Sequence, residues 1–104
     1  LGWTLSPRAF STLAKYHCHD EKIIRQTVAD NLFACAPDYN SPSFLQMVVS
    51  LCEDDDCDVR ASIFHDINEF LQIIPLELRD VLQKHLDDHD PQVRRYAEEA
   101  LEKP

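Results

Sequence analysis

The sequence has very little glycine, and its apolar residues do not gather into long runs. Gly2 is the only glycine in 104 residues, whereas tight turns between strands commonly require glycine. No apolar run approaches the roughly 20 residues that cross a membrane, and no segment has the pattern of a signal peptide. These absences argue against a sheet-rich fold and against a membrane partner, and they favour helices joined by short turns.

Basic residues are also scarce. Lys and Arg total 10 against 19 Asp and Glu, which gives a formal net charge of -9. Binding to a phosphate backbone requires clustered basic side chains, so we expect no nucleic-acid partner. A protein of this charge is suited instead to a partner with a basic surface. Hydrophobic residues make up 44% of the chain, which is enough for one folded domain with a modest core.

Cysteine and histidine show no spacing typical of a disulfide framework or a metal site. Four cysteines occur, without a CxxC pair, so we expect reduced thiols and a cytoplasmic protein. Equivalent positions on stacked helices lie roughly 8–10 Å apart, whereas the ligands of one zinc ion all lie about 2.0–2.3 Å from it. We therefore expect neither a metal nor a cofactor at the candidates that fall in turns, which are His17, Cys18, His19, Cys52, Cys57, His85 and His89.

Two acidic stretches organise the rest of the chain. Asp54–Arg60 (DDDCDVR) and Asp87–Arg94 (DDHDPQVR) both pass from acids to Val-Arg and then to an apolar pattern of helical period. A weaker copy is Asp20–Arg25 (DEKIIR). The arginines that close the three stretches follow one another at intervals of 35 and 34 residues. Periods in this range are typical of stacked helical repeats.

Proline marks where several helices begin, after Ser6, after Ser41 and after Asp90, and Pro75 opens another. Serine and aspartate are good caps, and proline is well tolerated in the first helical turn. We predict six helices and no strand, arranged as antiparallel pairs, over Pro7–His17, Glu21–Cys35, Pro42–Glu53, Cys57–Ile73, Pro75–Asp87 and Pro91–Glu102. One domain, 1–104, would then contain three repeats at about 7–40, 41–74 and 75–104. Because no Met precedes Leu1, we expect a processed form or a fragment of a longer stack.

Apolar residues recur at helical spacing within each predicted helix. The longest stripe lies on the fourth helix and comprises Val59, Ile63, Ile67, Phe70, Leu71 and Ile74. We expect this helix to be covered on both sides, so that Val48, Val59, Ile63, Ile67 and Val81 are among the most buried residues. Leu86 is assigned to the inner face of the fifth helix, and Trp3 is expected to cover the open end of the stack.

This arrangement resembles the HEAT repeat. The best match is Asp90–Arg94 (DPQVR), followed by Ala97 and Ala100, while Asp56–Arg60 has the same motif with Cys in place of Pro and Glu21–Arg25 matches weakly. The resemblance covers about residues 7–101. It implies an α-solenoid of three stacked helical hairpins.

The resemblance also implies roles for particular residues. Asp56 and Asp90 would cap the second helix of their repeats. Arg25, Arg60 and Arg94 would form a ladder against acids of neighbouring turns. Fold alone does not choose among the scaffolds, transport factors, chaperones and lesion-binding proteins that use such repeats.

We hypothesise a non-enzymatic protein-interaction or scaffold module that binds a basic protein partner. One candidate surface is the acidic turns, where Asp54, Asp55, Asp87 and Asp88 are not needed as caps and Asp58 lies nearby. The other is the outward face of the second helices, with Gln26, Asp30, Ser62, His65, Asp66, Glu69, Arg95 and Glu99. The alternative is a HEAT-like lyase or chaperone unit, or a metal-dependent enzyme-associated unit. The His-Glu pairs of HEAT-like hydroxylases are absent after the three arginines.

Overall fold

A computed structural model describes residues 7–36 and 38–104, with only the backbone at 7–9. This part of the chain forms six α-helices and a short 3-10 helix, and it contains no strand. The α-helices are α1 (Pro7–Tyr16), α2 (Lys22–Cys35), α3 (Pro42–Cys52), α4 (Cys57–Phe70), α5 (Leu76–Lys84) and α6 (Pro91–Leu101), and the 3-10 helix is His85–Asp87. The predicted all-α class and its six helices are confirmed. Trp3 and Ser6 lie outside the described residues.

The helices pack as hairpins in two layers. α1 contacts α2, α3 contacts α4, and α5 contacts α6. α4 also lies between α2 and α6, while α3 contacts α5. One layer is therefore α2, α4 and α6, and α3 and α5 lie in the other. The second helix of the middle hairpin is covered on both sides, as its long apolar stripe predicts.

The predicted core positions are buried. Val48, Val59, Ile63 and Ile67 have no exposed surface, and Val81 is buried as well. The core also contains large side chains that lie outside the predicted stripes, chiefly Phe33, Phe44 and Phe64. The rings of Phe33 and Phe44 meet edge to face with centroids 5.0 Å apart, a favourable arrangement for aromatic pairs.

Two residues assigned to inner faces are in fact exposed. Phe70 is 42% exposed and Leu86 is 38% exposed, so their predicted burial is wrong. α4 ends at Phe70 instead of Ile73. The backbone of Leu71 is already extended, and the residue before a proline, here Ile74, also favours an extended backbone. α5 likewise gives way to the 3-10 helix before Leu86, which rotates that side chain away from the core.

Candidate functional site

Two arginines form a ladder between successive turns. The Arg25 guanidinium holds the Asp54 carboxylate with two hydrogen bonds, Nε to Oδ2 at 2.7 Å and Nη2 to Oδ1 at 3.1 Å. Arg60 holds Asp88 in the same way, with both distances 2.9 Å. Paired bonds of this kind fix both the distance and the orientation of the two groups. Each arginine thus locks its own hairpin to the following one.

The remaining guanidinium nitrogen, Nη1, secures each arginine within its own turn. It donates to a backbone carbonyl oxygen six residues earlier, a position that all three repeats share. These bonds run from Arg25 to His19 at 2.8 Å, from Arg60 to Asp54 at 2.8 Å and from Arg94 to Asp88 at 2.6 Å.

The residue six positions before each arginine also stabilises the turn in which it lies. Its side chain accepts a hydrogen bond from the backbone N–H two residues later. Asp56 N–H donates to Asp54 Oδ1 at 2.9 Å, Asp90 N–H to Asp88 Oδ1 at 2.9 Å, and Glu21 N–H to His19 Nδ1 at 3.0 Å. His19 therefore occupies in the first repeat the position that Asp54 and Asp88 occupy in the next two.

The helix caps differ between repeats. Asp56 accepts from Asp58 N–H and Asp90 from Gln92 N–H, both at 2.8 Å, which is N-cap geometry. Glu21 makes no side-chain cap at α2. At α3 the Ser41 hydroxyl lies 3.0 Å from the Ser43 hydroxyl and caps no backbone N–H. Aspartate thus provides the caps that serine and glutamate do not.

The third ladder arginine differs from the other two. Arg94 donates through Nη1 to the carbonyl oxygens of Asp88 and His89. No carboxylate among the described residues lies at its Nε and Nη2. In the two observed pairs the acid lies 28 or 29 residues after its arginine, and the matching position for Arg94 lies beyond residue 104, so the pairing of Arg94 with an acid stays a prediction.

Asp54 and Asp88 are ladder residues and not spare charges. Their side chains are only 8% and 4% exposed, so the prediction that they are free to meet a partner is wrong. Asp58 also has a basic neighbour, since Lys22 Nζ lies 2.5 Å from its Oδ2. Basic side chains of adjacent hairpins thus pair with acids of the turns. The sequence of a turn alone does not show these partners. Asp55 and Asp87 remain exposed.

His85 joins two of these acids at the turn between α5 and α6. Its Nδ1 lies 2.7 Å from Asp88 Oδ2, and its Nε2 contacts Glu53 Oε1. Lys84 also contacts Glu53. Burial raises the pKa of the Glu53 carboxyl, but its bonds to Lys84 and His85 outweigh burial and lower that pKa below its usual range. The end of α3 is thereby tied to the last turn by charge as well as by packing.

Asp88 should make stability depend on pH in the acid range. Burial raises the pKa of its carboxyl, but hydrogen bonds from Arg60, Asp90 N–H and His85 outweigh burial and lower the pKa from 3.8 to about 2. A depressed folded-state pKa stabilises the protein above the unfolded value, and this stabilisation is lost as the pH falls through 2. We expect the gap in unfolding free energy between wild type and Asp88→Asn to shrink by about 2 kcal/mol from pH 6 to pH 2. Urea titrations across this range measure the gap, and a constant gap would contradict the assignment.

A second feature is an open groove across the layer formed by α2, α4 and α6. Its volume is about 300 Å³, and we call it the acidic groove. Three carboxylates line it, those of Asp30, Asp58 and Asp66. Its other lining residues include Ser62, His65 and Tyr96, and no Lys or Arg of the described chain is among them. The groove therefore concentrates negative charge on a concave surface.

Asp66 is the least exposed of the three carboxylates. Burial raises the pKa of its carboxyl, and the negative charges of Asp30 and Glu69 raise it further, while the bond to His65 lowers it. His65 Nδ1 lies 3.2 Å from Asp66 Oδ1, and the His65 ring meets the Tyr96 ring edge to face. A cation entering the groove would relieve this repulsion.

The predicted outward face is only partly gathered in the acidic groove. His65 and Asp66 line it, but Glu69 does not, and Arg95 pairs with Glu99 at 3.8 Å elsewhere on α6. Gln92 and Tyr96 line it although neither was predicted. The repeat itself could have located them, because a shift of 34 residues brings Asp58 and Ser62 onto these two positions.

The histidines and cysteines of the turns do not form one cluster. All four cysteines are free thiols, with Cys35 and Cys52 buried and Cys18 and Cys57 exposed. In the part of the chain that the structure describes, potential metal ligands gather within 4.8 Å of one another only at Asp56, Cys57 and Asp58. These three are neighbours in sequence, and Asp56 already caps α4. The absence of a metal site stays a prediction.

Comparison with protein-family models, with characterised proteins and with solved structures finds no match to this chain. In the described residues no helix is long and apolar enough to cross a membrane. The candidate site therefore rests on the chain's own geometry.

Proposed function

We propose that this chain is a HEAT-type repeat module that binds a basic segment of a partner protein and has no catalytic activity. One observation carries the proposal: Asp30, Asp58 and Asp66 share the acidic groove, without a lysine or arginine among the described lining residues. Stacked helical repeats commonly bind their partners on concave surfaces. A basic segment would neutralise the charge that this surface concentrates.

The acidic groove is a better candidate than the acidic turns. Much of the charge at the turns is taken up by the ladder, by the caps and by Lys84. In the groove, Lys22 pairs with Asp58, but Asp30 has no ion pair with a described residue. The ion pair of Asp66 within the described chain is with the exposed His65. Tyr96 adds an aromatic ring, which attracts a guanidinium held over its face. These features favour arginine or lysine side chains as the groups recognised.

A cytoplasmic location is part of the proposal. The four free cysteines support it, because a reducing compartment keeps thiols unpaired. Burial raises the pKa of the Cys52 thiol well above its usual range, so this side chain acts as a small apolar core residue. A reduced core cysteine fits a protein that needs no disulfide to fold.

A short arginine-rich peptide tests the groove directly. We expect the peptide to bind the wild-type protein at low salt and to bind more weakly as salt rises. The double variant Asp30→Asn/Asp66→Asn should bind about tenfold more weakly, a loss of about 1.4 kcal/mol, because it removes two of the three groove charges without changing side-chain size. Fluorescence anisotropy with a labelled peptide measures both effects.

The matched control is Asp55→Asn/Asp87→Asn, which removes the same charge from the exposed turns. At 0.1 M salt this variant should bind the peptide within about twofold of wild type, since long-range charge effects are then screened over roughly 10 Å. If the control weakens binding and the groove variant does not, the turns are the binding surface and the groove assignment fails. If no peptide binds even at low salt, the proposed function itself is wrong.

A further inference from the structure

A second groove runs between α3 and α5, and its described lining residues lie on these two helices or, for Glu53, directly after α3. It consists of two adjoining cavities of about 380 and 220 Å³. The first is lined by Pro42, Leu45, Gln46, Val49 and Glu77. The second shares Val49 and Glu77, continues past Val81 to Asp80 and Lys84, and is also lined by Glu53. We call this surface the apolar groove.

The lining of the apolar groove has helical periodicity on both walls. On α3 the lining residues recur at intervals of three and four from Pro42 to Val49, and on α5 they do so from Glu77 to Lys84. These stripes lie to the side of the residues with which α3 and α5 pack into the core, such as Val48 and Leu82. The groove therefore follows about two turns of each helix, roughly 10 Å at 1.5 Å per residue.

The chemistry of the groove is apolar along the floor and acidic along one rim. Leu45, Val49 and Val81 form the floor. Glu77 and Asp80 are exposed on the rim and have no ion pair with any described residue. Lys84 also lines the groove, but its charge is matched by Glu53. The groove thus presents unpaired negative charge beside an apolar surface.

The lining of the apolar groove fits one of the common modes of peptide recognition better than the others. The described chain has no strand and so no sheet edge that an extended peptide could join. Grooves that hold proline-rich peptides are lined by aromatic rings, and no aromatic residue is among the described residues that line this one. An amphipathic helix places apolar side chains at positions i, i+3, i+4 and i+7, which matches the periodicity of the walls.

We infer that the apolar groove between α3 and α5 docks an amphipathic helix of a partner protein, with apolar side chains on the floor and lysine or arginine beside Glu77 and Asp80. This site is distinct from the acidic groove, because α3 and α5 lie in the other helix layer. The two surfaces leave room for two different segments to bind at once.

An amphipathic peptide of leucine and lysine, with leucines at helical spacing, is the probe. In amide correlation spectra of labelled protein, its addition should shift resonances of α3 and α5 both in wild type and in Asp30→Asn/Asp66→Asn. Shifts in α2 that arise from the peptide's lysines at the acidic groove should be lost in that variant. A scrambled peptide of equal composition and charge should cause no comparable shift in α3 and α5, because its leucines cannot all face the floor. Absence of shifts in α3 and α5, or equal shifts there with the scrambled peptide, would overturn the inference.

Two variants test the two parts of the groove separately. Val49→Glu places a charge on the floor, and Asp80→Lys reverses one charge on the rim. We expect each to weaken peptide binding about tenfold. Asp80 is exposed, so Asp80→Lys should fold normally. The test therefore remains decisive even if Val49→Glu does not fold. If Asp80→Lys binds the peptide with wild-type affinity and the peptide causes the same resonance shifts, the role of charge at the rim is wrong, and the inference with it.

The remaining controls separate this site from the proposed function and from self-association. Asp30→Asn/Asp66→Asn should keep the shifts that the leucine–lysine peptide causes in α3 and α5, since those residues line the other groove. Sedimentation should give a monomer for wild-type protein. A dimer that Val49→Glu dissociates would show that a second copy occupies the groove, which would overturn the partner-helix assignment.

Discussion

Ile63→Ala should lower the free energy of unfolding by about 2–5 kcal/mol. Ile63 has no exposed surface and lies on α4, which is covered by α2 and by α6. Shortening it removes buried methyl groups and leaves a cavity that three packed helices cannot easily close. Because domains of this size have a total stability of about 5–15 kcal/mol, a large part of the stability is at stake. Urea denaturation followed by circular dichroism measures the change.

The same substitution at Ile73 is the control. Ile73 is 70% exposed and lies in the connection between α4 and α5, so Ile73→Ala should change the stability by less than about 0.5 kcal/mol. A loss below half a kilocalorie per mole at Ile63 would mean that its face of α4 is wrongly assigned. Equal losses at the two positions would mean that the α4–α5 connection is buried and that the fold differs from the one described.

Asp88→Asn should destabilise the protein by about 3 kcal/mol at neutral pH. The substitution removes the carboxylate that Arg60 holds with two bonds and leaves the guanidinium, whose side chain is largely buried, without a counter-charge. Breaking one partner of a buried pair typically costs about 3–5 kcal/mol. His85 loses a charged partner as well. Chemical denaturation at pH 7 measures the loss.

The neighbouring aspartate is the control for Asp88. Asp87→Asn changes an exposed side chain by the same single atom and removes the same charge. We expect it to leave the stability unchanged or raise it slightly, because it reduces the net negative charge of the turn. A double variant, Arg60→Gln with Asp88→Asn, should be less destabilised than the sum of its parts. Additive losses would show that the two side chains do not interact.

Much of the turn geometry could be predicted from the repeat. The regular spacing of the arginines located Arg25 and Arg60, and the Asp-Pro motif located the cap at Asp90. These features depend on residues a few positions apart, so one repeat contains all the information. The partners of the arginines could not be read in this way. Arg25 and Asp54 are 29 residues apart, and their pairing depends on how one hairpin stacks on the next.

The burial of the aromatic residues was harder to predict for a related reason. A helix that packs on one neighbour buries a single stripe, and Val48 and Ile63 follow that rule. α3 and α4 pack on several neighbours, so they bury a second stripe that includes Phe44 and Phe64. Such a stripe departs from simple helical spacing, and its extent depends on the tertiary arrangement. The acidic groove was missed in part because it too is assembled from three helices.

The ladder gives the stack a direction. In both described pairs the arginine lies on the earlier hairpin and the carboxylate on the later one, Arg25 with Asp54 and Arg60 with Asp88. The middle turn therefore presents a carboxylate to the hairpin before it and a guanidinium to the hairpin after it. A hairpin stacked the other way round would bring donor to donor and carboxylate to carboxylate. The two ion pairs thus specify the polarity in which the hairpins stack, a role in register for which partly buried pairs are suited.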